Sequence, residues 1–105
     1  MLSLRDDLKV FVYTCAVDMR KSVNGLSALV IDLLEQSPQS GDVFVFFNKR
    51  QDKIKILFWD RNGFVLYYKR LERCRFKLNP LKHFEQTSFA ITHEQLGWLL
   101  AGLDF

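Results

Sequence analysis

The chain has little of what usually marks reactive chemistry. Its two cysteines, Cys15 and Cys74, are too few and too far apart for a disulfide framework, and neither lies in a Cys-x-x-Cys pair. Both are expected to be reduced thiols. The two histidines, His83 and His93, are ten residues apart and do not share a helix face. A zinc centre needs four ligands, and no such set assembles from these residues. No glycine-rich phosphate loop is present, because Asn24-Gly25 and Asn62-Gly63 are isolated turn pairs. The longest apolar run, Val43 to Phe47, falls far short of the roughly 20 residues that span a bilayer. Residues 1–7 show neither the basic nor the apolar region of a secretory signal. There is no internal repeat and no low-complexity tract. These absences lead us to expect a small, soluble, cytoplasmic protein with no cofactor, no metal and no membrane partner.

What is abundant is apolar and aromatic surface. Of 105 residues, 49% are hydrophobic and 14% aromatic, with ten phenylalanines. That is enough for one core, so a single domain over residues 1–105 is expected and disorder is excluded. The charge is uneven. The net charge is +3, yet residues 49–77 carry ten basic side chains against three acidic ones, while the flanking thirds are each net negative. A basic segment interleaved with Phe, Tyr and Trp is the pattern of a nucleic-acid surface. The plainer reading is a solvated strand face whose lysines discourage edge-to-edge aggregation.

Hydrophobic periodicity sets the elements. Leu8 to Thr14 is rich in β-branched and aromatic residues and reads as a strand. Leu26, Leu29, Val30, Leu33 and Leu34 form one stripe of an amphipathic helix, with Asp18 and Ser22 as alternative N-caps. Ser37-Pro38-Gln39-Ser40-Gly41-Asp42 ends it. Residues 43–47 are apolar on both faces, as a central, doubly covered strand requires. Lys53 to Asp60 and Phe64 to Leu71 form a hairpin, and residues 73–77 either continue it or begin another strand. Residues 80–87 read as a loop, and Ser88 to Ile91 as a short strand. Thr92-His93-Glu94-Gln95 fits a capping box for a last helix that buries Leu96, Leu99, Leu100 and Leu103 and stops at Gly102. The order β-α-β-β-β-(β)-α predicts an α+β fold, a small antiparallel sheet of four to six strands on two helices.

The hairpin turn leaves two registers open. A two-residue Asn62-Gly63 loop sets Lys55 beside Arg70 and Lys69 beside Ile56. A turn opened by Asp60, with Gly63 left-handed in a bulge, sets Tyr68 beside Ile56 and Leu66 beside Phe58, at the cost of Lys55 opposite Lys69. The bulged turn is preferred for its cleaner apolar face. It places Lys55, Leu57, Trp59, Val65, Tyr67 and Lys69 together.

Several segments in one order carry a resemblance. They are Asp18-Met19-Arg20-Lys21-Ser22 with Asn24-Gly25-Leu26, Phe44-Val45-Phe46, and the run Asn48 to Leu57 with Trp59-Asp60. Asn62-Gly63-Phe64, Leu66 to Glu72, Phe76 and Leu99 to Phe105 continue it. Together they resemble the second-open-reading-frame (TnpB-type) accessory proteins of the insertion sequence 66 family of transposable elements. Cys74 stands where that family usually has a small residue, and Lys77-Leu78-Asn79-Pro80 replaces a tighter aromatic-proline ending. The resemblance implies an accessory part in transposition beside a separate transposase that carries the strand-transfer chemistry.

A metal-dependent nuclease would draw on Asp18, Asp60 and Glu72, but each acid has a simpler role as cap, turn opener or arginine partner. No histidine in sequence context activates either cysteine. We therefore expect no enzyme, and two binding modes. In the first, Lys49, Arg50, Lys53, Lys55, Lys69, Arg70, Arg73 and Arg75 neutralise phosphates while Trp59 and Tyr67 stack on bases. In the second, Trp98, Ala101 and Phe105, a stripe beside the core face of the last helix, dock the chain to transposase, to another protein of the element or to itself. Arg20 and Lys21 oppose the dipole of the helix they precede, which suggests a salt bridge to Asp18 or a grip on a phosphate.

Overall fold

The computed structural model describes residues 7–77 and 86–102. Among these, the order is β1 (Val10–Tyr13), α1 (Val23–Asp32), β2 (Val43–Phe47), β3 (Lys53–Asp60), β4 (Gly63–Arg70), β5 (Ser88–Ile91) and α2 (His93–Leu100). The strands form one sheet in the order β4-β3-β2-β1-β5. The fold is α+β, as expected, but the sheet is mixed rather than antiparallel. β1 and β2 pair in parallel, and every other pairing is antiparallel. The reason is topological: α1 connects β1 to β2, and a crossover helix returns the chain in its original direction.

β2 lies at the centre, and all five of its residues are buried. Side-chain alternation divides them between two cores. Val43, Val45 and Phe47 join Val10, Val12, Ile54, Ile56, Phe58, Phe76 and Ile91 under Leu96 and Leu99 of α2. Phe44 and Phe46 join Tyr13, Val17 and Leu57 under Leu26 and Val30 of α1 and Leu34 just beyond its end. Each helix thus covers one face of the sheet.

α1 starts after Ser22, whose side chain makes no cap hydrogen bond, and Asp18 builds its own turn instead of capping. The helix stops at Asp32, short of the full apolar stripe. Glu35 then takes a positive φ, so Leu34 is carried into the core while Leu33 stays 48% exposed. α2 carries the expected capping box. Thr92 Oγ1 accepts from Gln95 N–H, and Gln95 Oε1 accepts from Thr92 N–H. Gly102, at φ +78, follows the C-cap residue Ala101. Leu103 lies outside the described residues, as do residues 80–85 of the expected loop.

The β3–β4 hairpin corrects both expected registers. Asp60 pairs with Gly63, so the loop residues are Arg61 and Asn62, and Gly63 is already in the strand. Arg61 takes the positive φ (54°) that the sequence assigns to a glycine. Ile56 then faces Tyr67, Leu57 faces Leu66, and Lys55 faces Tyr68 instead of another lysine. Apolar residues still meet on both faces, and the like-charge pair moves to the end of the ladder, where Lys53 faces Arg70 beside the Asp52 and Glu72 carboxylates. Residues 73–77 form no strand. They fold back so that Phe76 N–H reaches Gln51 O at 2.7 Å, and the Phe76 ring meets Phe47 edge-on.

Candidate nucleic-acid interface

Asn48 organises the turn between β2 and β3. Its Nδ2 donates to Asp52 Oδ1 at 2.6 Å, and its Oδ1 accepts from Lys53 N–H at 3.0 Å. Gln51 N–H returns to Asn48 O, with Gln51 at φ 60°. The Asn48 amide, helped by the nearby charges of Lys53 and Arg50, holds the Asp52 carboxyl below the usual range. From the other side, Leu71 N–H and Phe76 N–H donate to Asp52 O and Gln51 O. Residues 71–76 are thereby strapped across the turn. The loop is tied from both sides, and Lys49 and Arg50 project from it into solvent.

The same end of the sheet gathers further cations. Lys53 and Arg70 are paired across β3 and β4, and Arg73 and Arg75 lie exposed on the strap. The two carboxylates here are already engaged. Asp52 Oδ1 lies 3.6 Å from Lys53 Nζ, and Glu72 Oε1 lies 2.9 Å from Arg70. Six cations around two occupied acids make a positive rim at one end of the molecule.

Four of the residues expected on this surface do not join it. Lys55 Nζ donates to Met19 O and Lys21 O, both at 2.7 Å, and lies 5.5 Å from the centroid of the Tyr68 ring. Lys69 points to the opposite face and donates to Leu100 O at 2.7 Å, capping the end of α2. Tyr67 is half-buried against the α2-side core, and Trp59 meets Phe64 edge-on near the far end of the hairpin. The expected face containing Lys55, Lys69, Trp59 and Tyr67 therefore does not exist. The register puts Lys55, Leu57 and Trp59 on the α1 side, and Val65, Tyr67 and Lys69 on the α2 side. The aromatic ring beside the cations is Tyr68, 50% exposed. Sequence reasoning missed it because a shift of one register position exchanges Tyr67 and Tyr68 between faces.

Asp18 accepts from Arg20 N–H at 2.9 Å and pairs with the Arg20 guanidinium at 2.7 Å. The side-chain bond from Arg20, then its backbone N–H, hold the Asp18 carboxyl down to about 2. Lys55 fastens this turn to β3, and the aliphatic stem of Lys21 lies where a Cβ on Gly25 would crowd it at 3.2 Å. Trp98 is 38% exposed on α2 and Ala101 is exposed at its end; Phe105 lies outside the described residues. Asp60 and Glu72 flank opposite ends of the eight-residue β4, about 25 Å apart at strand rise. Among the described residues, no three His, Cys, Asp or Glu side chains are grouped to hold a metal ion. No helix among them is long and apolar enough to cross a membrane.

No solved structure matches the chain. It is 39% identical over 98 residues to the uncharacterized protein y4jC of Sinorhizobium fredii, covering 93% of this chain and 81% of that one. It is 32% identical over 105 residues to y4hO of the same organism, also uncharacterized, covering 100% and 89%. The family model described as IS66 Orf2 like protein matches residues 8–105. The segments from the Asp18 turn through the strapped loop to α2 are thus one continuous family pattern, and the chain belongs to the IS66 Orf2-like family.

Proposed function

We propose that this chain is a non-catalytic accessory protein of transposition that holds nucleic-acid phosphates at the cationic end of its sheet. Lys49 and Arg50 are the leading contacts, with Lys53, Arg70, Arg73 and Arg75 around them. The observation that carries this reading is the tied β2–β3 loop. Fixing a loop costs conformational entropy, and here the ordering presents two cations that have no ion-pair partner among the described residues. A preordered cationic loop binds a polyanion without a further ordering cost. The Arg20-Lys21 turn adds charge on the α1 side, and Tyr68 adds one stacking face.

Fluorescence anisotropy with DNA from the ends of the element tests this reading. Binding at low salt that weakens steeply as salt rises is the expected result. No binding at low salt would sink it.

A second reading is favoured by the exposure of Trp98 and Ala101 on α2. In it, the helix docks the chain to transposase or another protein of the element. Truncation after Gly102 that abolishes co-purification while leaving the fold intact would support docking; unfolding would assign the helix end to the core.

A further inference from the structure

The two edges of the sheet are unequal. β5 is four residues long, whereas β4 runs for eight without a proline or a bulge. Native edge strands are normally short, charged, kinked or covered. β4 has charges only at its last two positions, Lys69 and Arg70, and Val65 and Tyr68 stand 36% and 50% exposed along it.

Its hydrogen-bonding direction follows from the ladder. Leu71 N–H points to Asp52 O on the β3 side. By strand alternation Lys69, Tyr67, Val65 and Gly63 also turn their backbone groups toward β3, and Arg70, Tyr68, Leu66 and Phe64 turn theirs outward. Four N–H and four C=O groups therefore line the open edge, with no hydrogen bond to any described residue.

We propose that this edge pairs with the same edge of a second copy, joining two five-stranded sheets into one of ten strands around a two-fold axis. Only one antiparallel register engages all eight outward groups: Phe64 opposite Arg70 of the partner subunit, and Leu66 opposite Tyr68 of the partner subunit, each reciprocated. Tyr67 then meets Tyr67 of the partner subunit on the axis, and Val65 lies beside Lys69 of the partner subunit. The charges fit this arrangement. Every cation of β4 faces an aromatic or apolar residue, with Arg70 against a phenylalanine ring, and none faces its own copy. A strand of another protein would meet the same backbone groups, but this complementarity of charge and side chain is a property of β4 with itself. The pairing needs no nucleic acid to form, and it shares Arg70 and Tyr68 with the proposed phosphate surface.

Sedimentation equilibrium of the full chain without DNA tests it. The expected mass is twice the 12.4 kDa of the chain. Tyr68→Pro removes an N–H that points away from β3, so the intramolecular ladder is untouched and the edge is blocked. Dimer affinity is expected to fall at least tenfold while circular dichroism stays unchanged. A monomer across the micromolar range, or a dimer that survives folded Tyr68→Pro, overturns the proposal. Should that variant unfold, a second measurement decides. In a Cys15→Ser, Cys74→Ser background, Tyr67→Cys is expected to form an intersubunit disulfide under mild oxidation, since facing Cβ atoms in such a pair lie about 5 Å apart. A dimer without that link overturns it equally.

Discussion

At Lys55 a positive charge has been turned inward and spent on the fold. Its ammonium satisfies two carbonyls of the Asp18–Lys21 turn and sits against Tyr68. Lys55→Met keeps the aliphatic stem but removes both charged hydrogen bonds. We expect it to lower unfolding free energy by about 2 kcal/mol, measured by urea denaturation. Asp18 gives a pH signature in the same turn. Its carboxyl titrates lower when folded than when unfolded, so the Arg20 contact contributes stability above the ordinary carboxylate range. That contribution is lost as pH falls toward about 2. Asp18→Asn is expected to flatten the acid limb of the stability profile between about pH 4 and pH 2 and to leave its shape at neutral pH unchanged. An unaltered acid limb would show that the pair does not couple to folding.

At the level of elements, the helix ends and the hairpin turn behave differently. The α2 start is local chemistry: Thr92 and Gln95 satisfy each other's backbone within one turn, so sequence alone shows it. Thr92→Ala is expected to cost about 1 kcal/mol, seen as a lower melting temperature. The hairpin turn is not local in this sense. Asn62-Gly63 is a strong turn pair, yet the loop sits one residue earlier because the faces of β4 must match both cores at once. Arg61 bears the consequence as a non-glycine residue at positive φ. Arg61→Gly is therefore expected to stabilise the protein by roughly 0.5–1 kcal/mol in the same denaturation assay, the relief of strain exceeding the added freedom of the unfolded chain. Asp18 was legible as a helix cap or as a salt-bridge partner of the cations that follow it; it pairs with Arg20, in a turn held by Lys55, thirty-seven residues away in sequence.

For the molecule as a whole, the cationic rim depends on the core beneath it. Phe76 is buried against Phe47 and anchors the strap that carries Arg73 and Arg75. Phe76→Ala is expected to cost roughly 3 kcal/mol by cavity formation. At a temperature where the variant remains folded, it should also weaken DNA binding, because the two arginines lose their fixed position. Lys49→Ala with Arg50→Ala is expected to leave stability within about 0.5 kcal/mol. The pair should reduce the slope of log affinity against log salt by about 2, one phosphate contact for each side chain. An unchanged slope would place the phosphates elsewhere on the surface.

The sequence by itself determined the elements, the centrality of β2, the capping of α2 and the excess of positive charge in residues 49–77. Each of these follows from residue type and spacing over a few positions, the range over which backbone propensity and side-chain periodicity act. Only the tertiary structure decided which cations face solvent. That choice passes through the pairing of β3 with β4, where moving the ladder by one position turns every side chain over, and through which helix covers which face. It sent Lys55 to the Asp18 turn, Lys69 to the end of α2 and Tyr67 against the α2-side core, and left Lys49, Arg50, Arg73 and Arg75 outside. The parallel β1–β2 pair was hidden for the same physical reason: strand direction is set by where a connecting helix packs, and no pattern within either strand records it.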